Sequence, residues 1–87
     1  MANVFRALSD PTRRKILKLL QQGDLNAGDI AANFSMKAPS VTHHLHILRD
    51  AGLVQSERSG QQIIYSLNTT VLQEVINWIL DLQEKAE

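Results

Sequence analysis

The chain carries all of its histidines in one short stretch, "KAPSVTHHLHILRDAGLV", at positions His43, His44 and His46. Imidazole nitrogens can bind a metal ion, act as a base or hydrogen-bond to the edges of nucleic-acid bases. On a helix, His43 and His46 would share a face, and Asp50 would extend the same face by one turn. A structural zinc site takes about four ligands. No fourth candidate accompanies these three residues, so the spacing favours nucleic acid over metal.

Catalysis receives less support from the same stretch. A serine, a histidine and an aspartate lie close together in sequence, but no further group is placed to orient a base. The chain contains neither a glycine-rich phosphate loop nor a carboxylate pair spaced for acid-base chemistry. We therefore expect no enzymatic activity, no catalytic residue and no cofactor.

The composition limits the possible metal sites and the cellular compartment. The chain has no cysteine, which excludes disulfides and thiolate metal sites and fits a reducing cytoplasm. Arg6 and Asp10 interrupt the N-terminal apolar residues, so "MANVFRALSD" is not expected to be a secretory signal. The segment "VLQEVINWILDL" is too short and too polar to span a bilayer. The sequence predicts a cytoplasmic protein.

The elements that must position the histidines begin with two helices. Asp10 and Pro11 predict the start of a helix and Gly23 its end. Its buried stripe is predicted to contain Arg13, Ile16, Leu17 and Leu20. A short amphipathic helix with Val4, Phe5 and Leu8 precedes it, and a short third helix with Asn26 as its cap follows it.

The histidine stretch itself is predicted to form a fourth helix, from about Ala38 to Ala51, that ends at Gly52. A hairpin with its turn at Gly60 follows, with Ile63, Tyr65 and Leu67 alternating on one face. Asn68 is predicted to cap a last helix that extends to about Glu84.

The order of elements, α-α-α-α-β-β-α, is typical of a mainly α winged helix-turn-helix domain with a small β-hairpin. We expect residues 1–87 to form one such DNA-binding domain. In this fold the second helix of the pair enters the DNA major groove, and here that helix carries the histidines.

On the fourth helix, Val41, Leu45 and Leu48 are expected to face the core, with His44 at the edge of that cluster. The opposite side would then face the DNA bases. Helix ends, basic side chains and the hairpin tip would contact the backbone. The predicted DNA contacts are Lys37, Ser40, Thr42, His43, His46, Arg49, Arg58, Ser59 and Gln61.

The charge distribution also separates the two ends of the chain. The net charge is zero, yet residues 1–62 carry eight basic and five acidic side chains, whereas residues 63–87 carry one and four. A dimer joined near the acidic end would leave a doubled basic surface free. The zero net charge equally supports an alternative, a winged helix used as a protein-interaction module.

The last helix is apolar on two adjoining stripes, and one stripe suffices for a helix with a single buried face. The surplus predicts contact with a second copy. The predicted dimer-interface residues are Val4, Phe5, Leu8, Val71, Leu72, Val75, Trp78, Ile79 and Leu82.

Three segments, "ALSDPTRRKILKLL", "DIAANFSMKAPSVTHHLHILRDAGLV" and "ERSGQQIIYSLN", resemble the ArsR/SmtB family of bacterial winged-helix repressors. The resemblance covers nearly the whole chain. It implies a homodimer built from the first and last helices that binds an imperfect inverted repeat and represses by occupancy. Within the family, "INWILDLQEK" resembles most the small autorepressors of the SdpR type.

The chain departs from the family at the positions used for metal sensing. Asn26 and Gly28 stand where sensors carry a cysteine pair, and the positions matching a second sensing site hold Thr69, Val71, Leu82 and Lys85. We therefore expect metal-independent repression. One alternative is a metal- or ligand-responsive sensor with a non-standard site, such as His43, His46 and Asp50. The inducing signal stays open among a protein partner that relieves repression, a small molecule and a change of pH.

Overall fold

A computed structural model describes residues 2–84. Five helices and three strands follow one another in the order α1 (Ala2–Leu8), α2 (Pro11–Gln21), β1 (Leu25–Asn26), α3 (Ala27–Ala31), α4 (Ala38–Asp50), β2 (Val54–Ser59), β3 (Gln62–Leu67) and α5 (Thr69–Glu84). The sequence therefore predicted a mainly helical domain with a hairpin correctly, and each predicted helix is present.

Local signals explain where the helices begin and end. The Asp10 carboxylate accepts a hydrogen bond from the Arg13 backbone N–H and caps α2, and Pro11 occupies its first turn. The Asn26 side chain caps α3 in the same way through the Asp29 N–H. Gly52 follows α4 with a φ of 78°, a conformation that favours glycine and allows the chain to turn into β2.

The sheet has the strand order β1-β3-β2, and both pairings are antiparallel. Strand β1 was not predicted. Its two residues pair Leu25 with Tyr65 and Asn26 with Ile64, and two residues are too few to show an alternating pattern. The hairpin pairs Val54 with Leu67 at its base and Ser59 with Gln62 at its tip.

The core lies between α2, α4 and the base of the hairpin. Its largest fully buried side chains are Ile16, Ile30, Val41, Leu45, Leu48, Leu53 and Val54. The predicted stripe of α2 is confirmed, since Arg13, Ile16, Leu17 and Leu20 are all buried. Ile63, Tyr65 and Leu67 alternate on one face of β3, as predicted. Burial along this face decreases toward the tip. Tyr65 is buried and Leu67 half-buried, whereas Ile63, opposite Arg58, is 46% exposed.

Candidate nucleic-acid interface

Helix α4 presents one side to the core and the other to solvent. Val41, Leu45 and Leu48 are at most 1% exposed and fix the helix to the domain. The opposite side is exposed, and the exposed polar side chains of its first three turns carry hydroxyl and imidazole groups. We call this set the recognition face, and it consists of Ser40, Thr42, His43 and His46.

Positive charge lies at both ends of the recognition face. Lys37 and Arg49 are exposed at the N-terminal and C-terminal ends of α4. Among residues 2–84, no side-chain hydrogen bond from Lys37 caps the helix, although it occupies the N-cap position in extended conformation. The partial positive charge of the helix N-terminus therefore adds to the Lys37 charge, and this end favours anions.

The hairpin forms a wing beyond α4. Its tip turns at Gly60, where φ is 65°, and the Arg58 Nε donates a hydrogen bond to the Gly60 carbonyl at 3.2 Å. Arg58, Ser59 and Gln61 are exposed there. All nine side chains predicted to contact DNA are thus exposed, on α4, just before it or at the wing tip.

A buried arginine supports α4 from behind. Arg13 is 8% exposed, and its Nε and Nη2 donate to the carbonyls of Ala7 and Arg6 at 2.8 and 3.0 Å. Its Nη1 lies 3.1 Å from Nδ1 of His44, which is half-buried as predicted. Sequence reasoning placed Arg13 on a buried stripe but missed this role. The signal in the sequence was a charged residue on an apolar stripe, because a buried charge requires hydrogen-bonding partners within the protein core.

Asp10 lies beside this cluster, with its Oδ2 3.9 Å from His44 Nδ1. Burial of the carboxyl acts to raise its pKa. The hydrogen bond from the Arg13 backbone N–H and the positive charge of Arg13 act in the opposite direction. The charge of protonated His44 and the Thr12 backbone N–H add to them, so the pKa of Asp10 lies below its ordinary value. The cap of α2 is therefore held in its ionised form.

The metal hypothesis receives no geometric support within residues 2–84, where no three His, Asp or Glu side chains are grouped to hold an ion. The positions that match a family sensing site place Thr69, Val71 and Leu82 along α5, and Lys85 lies outside the described residues. None of the described helices is both long enough and apolar enough to cross a membrane.

A second exposed surface lies on α1 and α5. The rings of Phe5 and Trp78 pack with their centroids 5.4 Å apart. We call the surrounding surface the apolar face. It consists of Phe5, Ile76, Trp78, Ile79, Leu80 and Leu82, which are between 39% and 54% exposed.

The structure shows how the predicted interface residues lie in the single chain. Val4 and Val75 are each only 7% exposed and belong to its core. Leu8, Val71 and Leu72 are half-buried against the same core. Ile76 and Leu80, which were not in the predicted set, are 48% and 49% exposed.

Comparisons with known proteins agree with this architecture. Residues 10–56 match the model of the family described as bacterial regulatory protein, arsR family. The transcriptional repressor SdpR of Bacillus subtilis is 58% identical over 87 residues, which cover 100% of this chain and 97% of that protein.

Two solved structures are also similar. A crystal structure of an ArsR-family transcriptional regulator has a TM-score of 0.91 at 31% identity, covering 95% of this chain and 91% of that one. A homodimeric winged helix-turn-helix DNA-binding domain from Mycobacterium bovis has a TM-score of 0.77 at 28% identity, covering 99% and 82%. The fold is therefore that of winged helix-turn-helix regulators.

Proposed function

The chain belongs to the ArsR family of bacterial regulatory proteins, and we propose that it is a transcriptional repressor that binds an inverted-repeat operator as a homodimer. The observation that carries this proposal is the recognition face, a row of exposed hydroxyl and imidazole groups on a helix anchored by three buried aliphatic side chains.

The recognition face fits the chemistry of the major groove. That groove is about 12 Å wide and admits a helix, and its base edges offer both donors and acceptors. Hydroxyl groups can both donate and accept hydrogen bonds, and a neutral imidazole donates from one ring nitrogen and accepts at the other. The recognition face, Ser40, Thr42, His43 and His46, would therefore contact the base edges. The charged residues at the ends of α4 would contact the DNA backbone instead.

Backbone contacts would come from the ends of α4 and from the wing. Lys37 and Arg49, at the two ends of α4, would contact phosphates that flank the groove. Arg58, Ser59 and Gln61 at the wing tip would meet the backbone or the adjacent minor groove. These contacts position the domain and give binding its salt dependence.

The apolar face would hold two copies together. It groups six large apolar side chains on α1 and α5, and the chain resembles a domain described as homodimeric. A twofold dimer would present two recognition faces to successive major grooves, about 34 Å apart. We place residues 1–87 in one such domain, acting in the cytoplasm where the operator is.

We further propose that repression needs no metal and that the protein represses its own gene. Metal independence is supported by Asn26, Gly28, Thr69 and Val71, which are poor ligands at the positions used by family sensors. Autoregulation is supported by the resemblance to SdpR-type autorepressors. A protein partner that sequesters the dimer is one route to induction that this proposal accommodates.

Fluorescence anisotropy tests the proposal. The probe is a labelled duplex from the region upstream of the protein's own gene, titrated in chelator across a salt series, with a random duplex as control. We expect tight binding that is selective for the upstream duplex and falls steeply with salt. Selective binding that appears only after zinc is added would contradict metal independence. Equal, weak binding to both duplexes would contradict the repressor and favour a protein-interaction module.

A further inference from the structure

The guanidinium of Arg13 joins three helices. It belongs to α2, its Nε and Nη2 hold the last carbonyls of α1 at Ala7 and Arg6, and its Nη1 lies 3.1 Å from His44 of α4. A guanidinium has several donors in a fixed planar fork, so these bonds together fix its orientation.

The contact between Arg13 and His44 bears on which ring nitrogen of that imidazole carries the proton. Arginine stays protonated and can only donate, so Nδ1 of His44 must be the acceptor. A hydrogen bond from Arg13 thus requires the ring proton of His44 to lie on Nε2. The Asp10 carboxylate lies 3.9 Å from the same nitrogen, and this distance is too long for a hydrogen bond. A hydrogen bond from His44 to Asp10 would also require the proton to lie on Nδ1. Arg13, not Asp10, is the partner of His44.

This cluster connects the two exposed surfaces. Helix α1 carries Phe5 of the apolar face, and α4 carries the recognition face, with His43 next to His44. The orientation of α4 relative to α1 determines how two recognition helices are spaced once two copies join. A small tilt of α4 is repeated on the other half of a twofold dimer, so it alters both half-site contacts.

We propose that Arg13 is a positioning residue for operator recognition that acts through the Nδ1 acceptor of His44. This inference rests on the proposed function. Loss of the acceptor should allow α4 to shift while the fold, the dimer and the contacts to DNA phosphates persist. Selectivity for operator over random DNA should therefore fall more than binding to random DNA.

A matched set of His44 variants tests the role of the acceptor. In His44→Asn, the amide oxygen can occupy the position of Nδ1, so selectivity should stay close to that of the wild type. In His44→Leu, the acceptor is gone, and selectivity should fall about tenfold or more, as expected for one hydrogen bond to a charged group. Anisotropy against the upstream and random duplexes measures selectivity, and circular dichroism and sedimentation check the fold and the dimer.

The outcomes separate the possibilities. Undiminished selectivity in His44→Leu would mean that Arg13 only satisfies the α1 carbonyls, and equal losses in both variants would mean that shape matters rather than the acceptor. Either result overturns the inference while leaving the repressor proposal intact. Wild-type protein without selectivity would overturn both.

One measurement needs neither DNA nor a variant. A long-range proton–nitrogen correlation spectrum of the wild-type protein at neutral pH reports which ring nitrogen of His44 carries the proton. We expect an unprotonated Nδ1 and a protonated Nε2. A proton on Nδ1 would remove the bond from Arg13 and overturn the inference even if His44→Leu fails to fold.

Discussion

Replacing Trp78 with alanine should separate the proposed dimer. Trp78 is 46% exposed in the single chain and belongs to the apolar face, where its ring packs against Phe5 of α1. A buried tryptophan covers roughly 150–250 Å², so a partner would cover roughly 100 Å² of its remaining surface. At about 25 cal/mol per Å² this amounts to about 2.5 kcal/mol for each copy and, because a twofold interface uses the residue twice, about 5 kcal/mol for the dimer.

A loss of that size raises the dissociation constant of the dimer more than about a thousandfold. Sedimentation equilibrium over a range of protein concentrations measures the change directly. Operator affinity at low protein concentration should fall with it, because two half-sites then bind separate monomers. Trp78 also buries about half of its surface within its own chain, partly against Phe5, so the same coefficient gives a loss of about 2.5 kcal/mol in the stability of the fold, and circular dichroism must show that the variant is folded.

Asn77→Ala is the matched control. Asn77 is the next residue toward the N-terminus of α5, is exposed, and accepts a hydrogen bond from Gln73 Nε2 on the polar side of the helix. Its removal should leave the dimer unchanged. If Trp78→Ala folds normally and dimerises as tightly as the wild type, the apolar face is not the dimer interface and the area argument is refuted.

Three further predictions concern other parts of the molecule. Alanine at Ser40 and His43 should cost about 1–3 kcal/mol of operator affinity for each base-reading side chain that is removed, with random-duplex binding and sedimentation unchanged; an undiminished operator affinity would exclude these side chains as readers. Gly52→Ala should destabilise the fold by about 1–2 kcal/mol in urea titration, because φ is 78° there and a side chain strains that backbone conformation. Gly28→Ala is the matched control, because a new Cβ would meet a neighbouring side-chain atom at the same 3.4 Å at both positions but φ is not positive at Gly28, which lies inside α3. It should be neutral or stabilising, and equal effects at both glycines would contradict the backbone argument. The pKa of Asp10 is lower in the folded state than its ordinary value of 3.8, so the ionised carboxylate stabilises the fold above pH 3.8, and this stabilisation is lost as the pH falls through the folded pKa. The stability of Asp10→Asn should therefore depend less on pH in that range than the stability of the wild type. Parallel acid-unfolding profiles would show that the carboxylate is not held ionised.

The sequence was most informative where a local rule determines the structure. The cap at Asp10, the buried stripe of α2 and the turn at Gly52 depend on residues close in sequence, and all three are confirmed. The exposed side of α4 was predictable for the same reason, because helical periodicity assigns its two faces once the core positions are known.

Features that depend on distant residues were missed. Strand β1 exists because Leu25 lies beside Tyr65, which no window around Leu25 reveals. The partner of Arg13 lies 31 residues away on another helix. Periodicity also cannot distinguish burial in the chain's own core, which the structure shows for Val4 and Val75, from burial against a partner.

The second half of α5 has a consequence for how the protein responds to its own abundance. From Ile76 to Glu84 no residue is buried in the single chain, although the Trp78 ring packs against Phe5, and a helical segment of this length is marginal in water with so little packing. Association would supply the missing packing, so the melting temperature should rise with protein concentration. At low copy number the end of α5 would fray and the chain would be open to proteolysis, whereas at high copy number it would be ordered. The number of gene copies would then change the folded fraction of the repressor as well as the fraction of operator that it occupies.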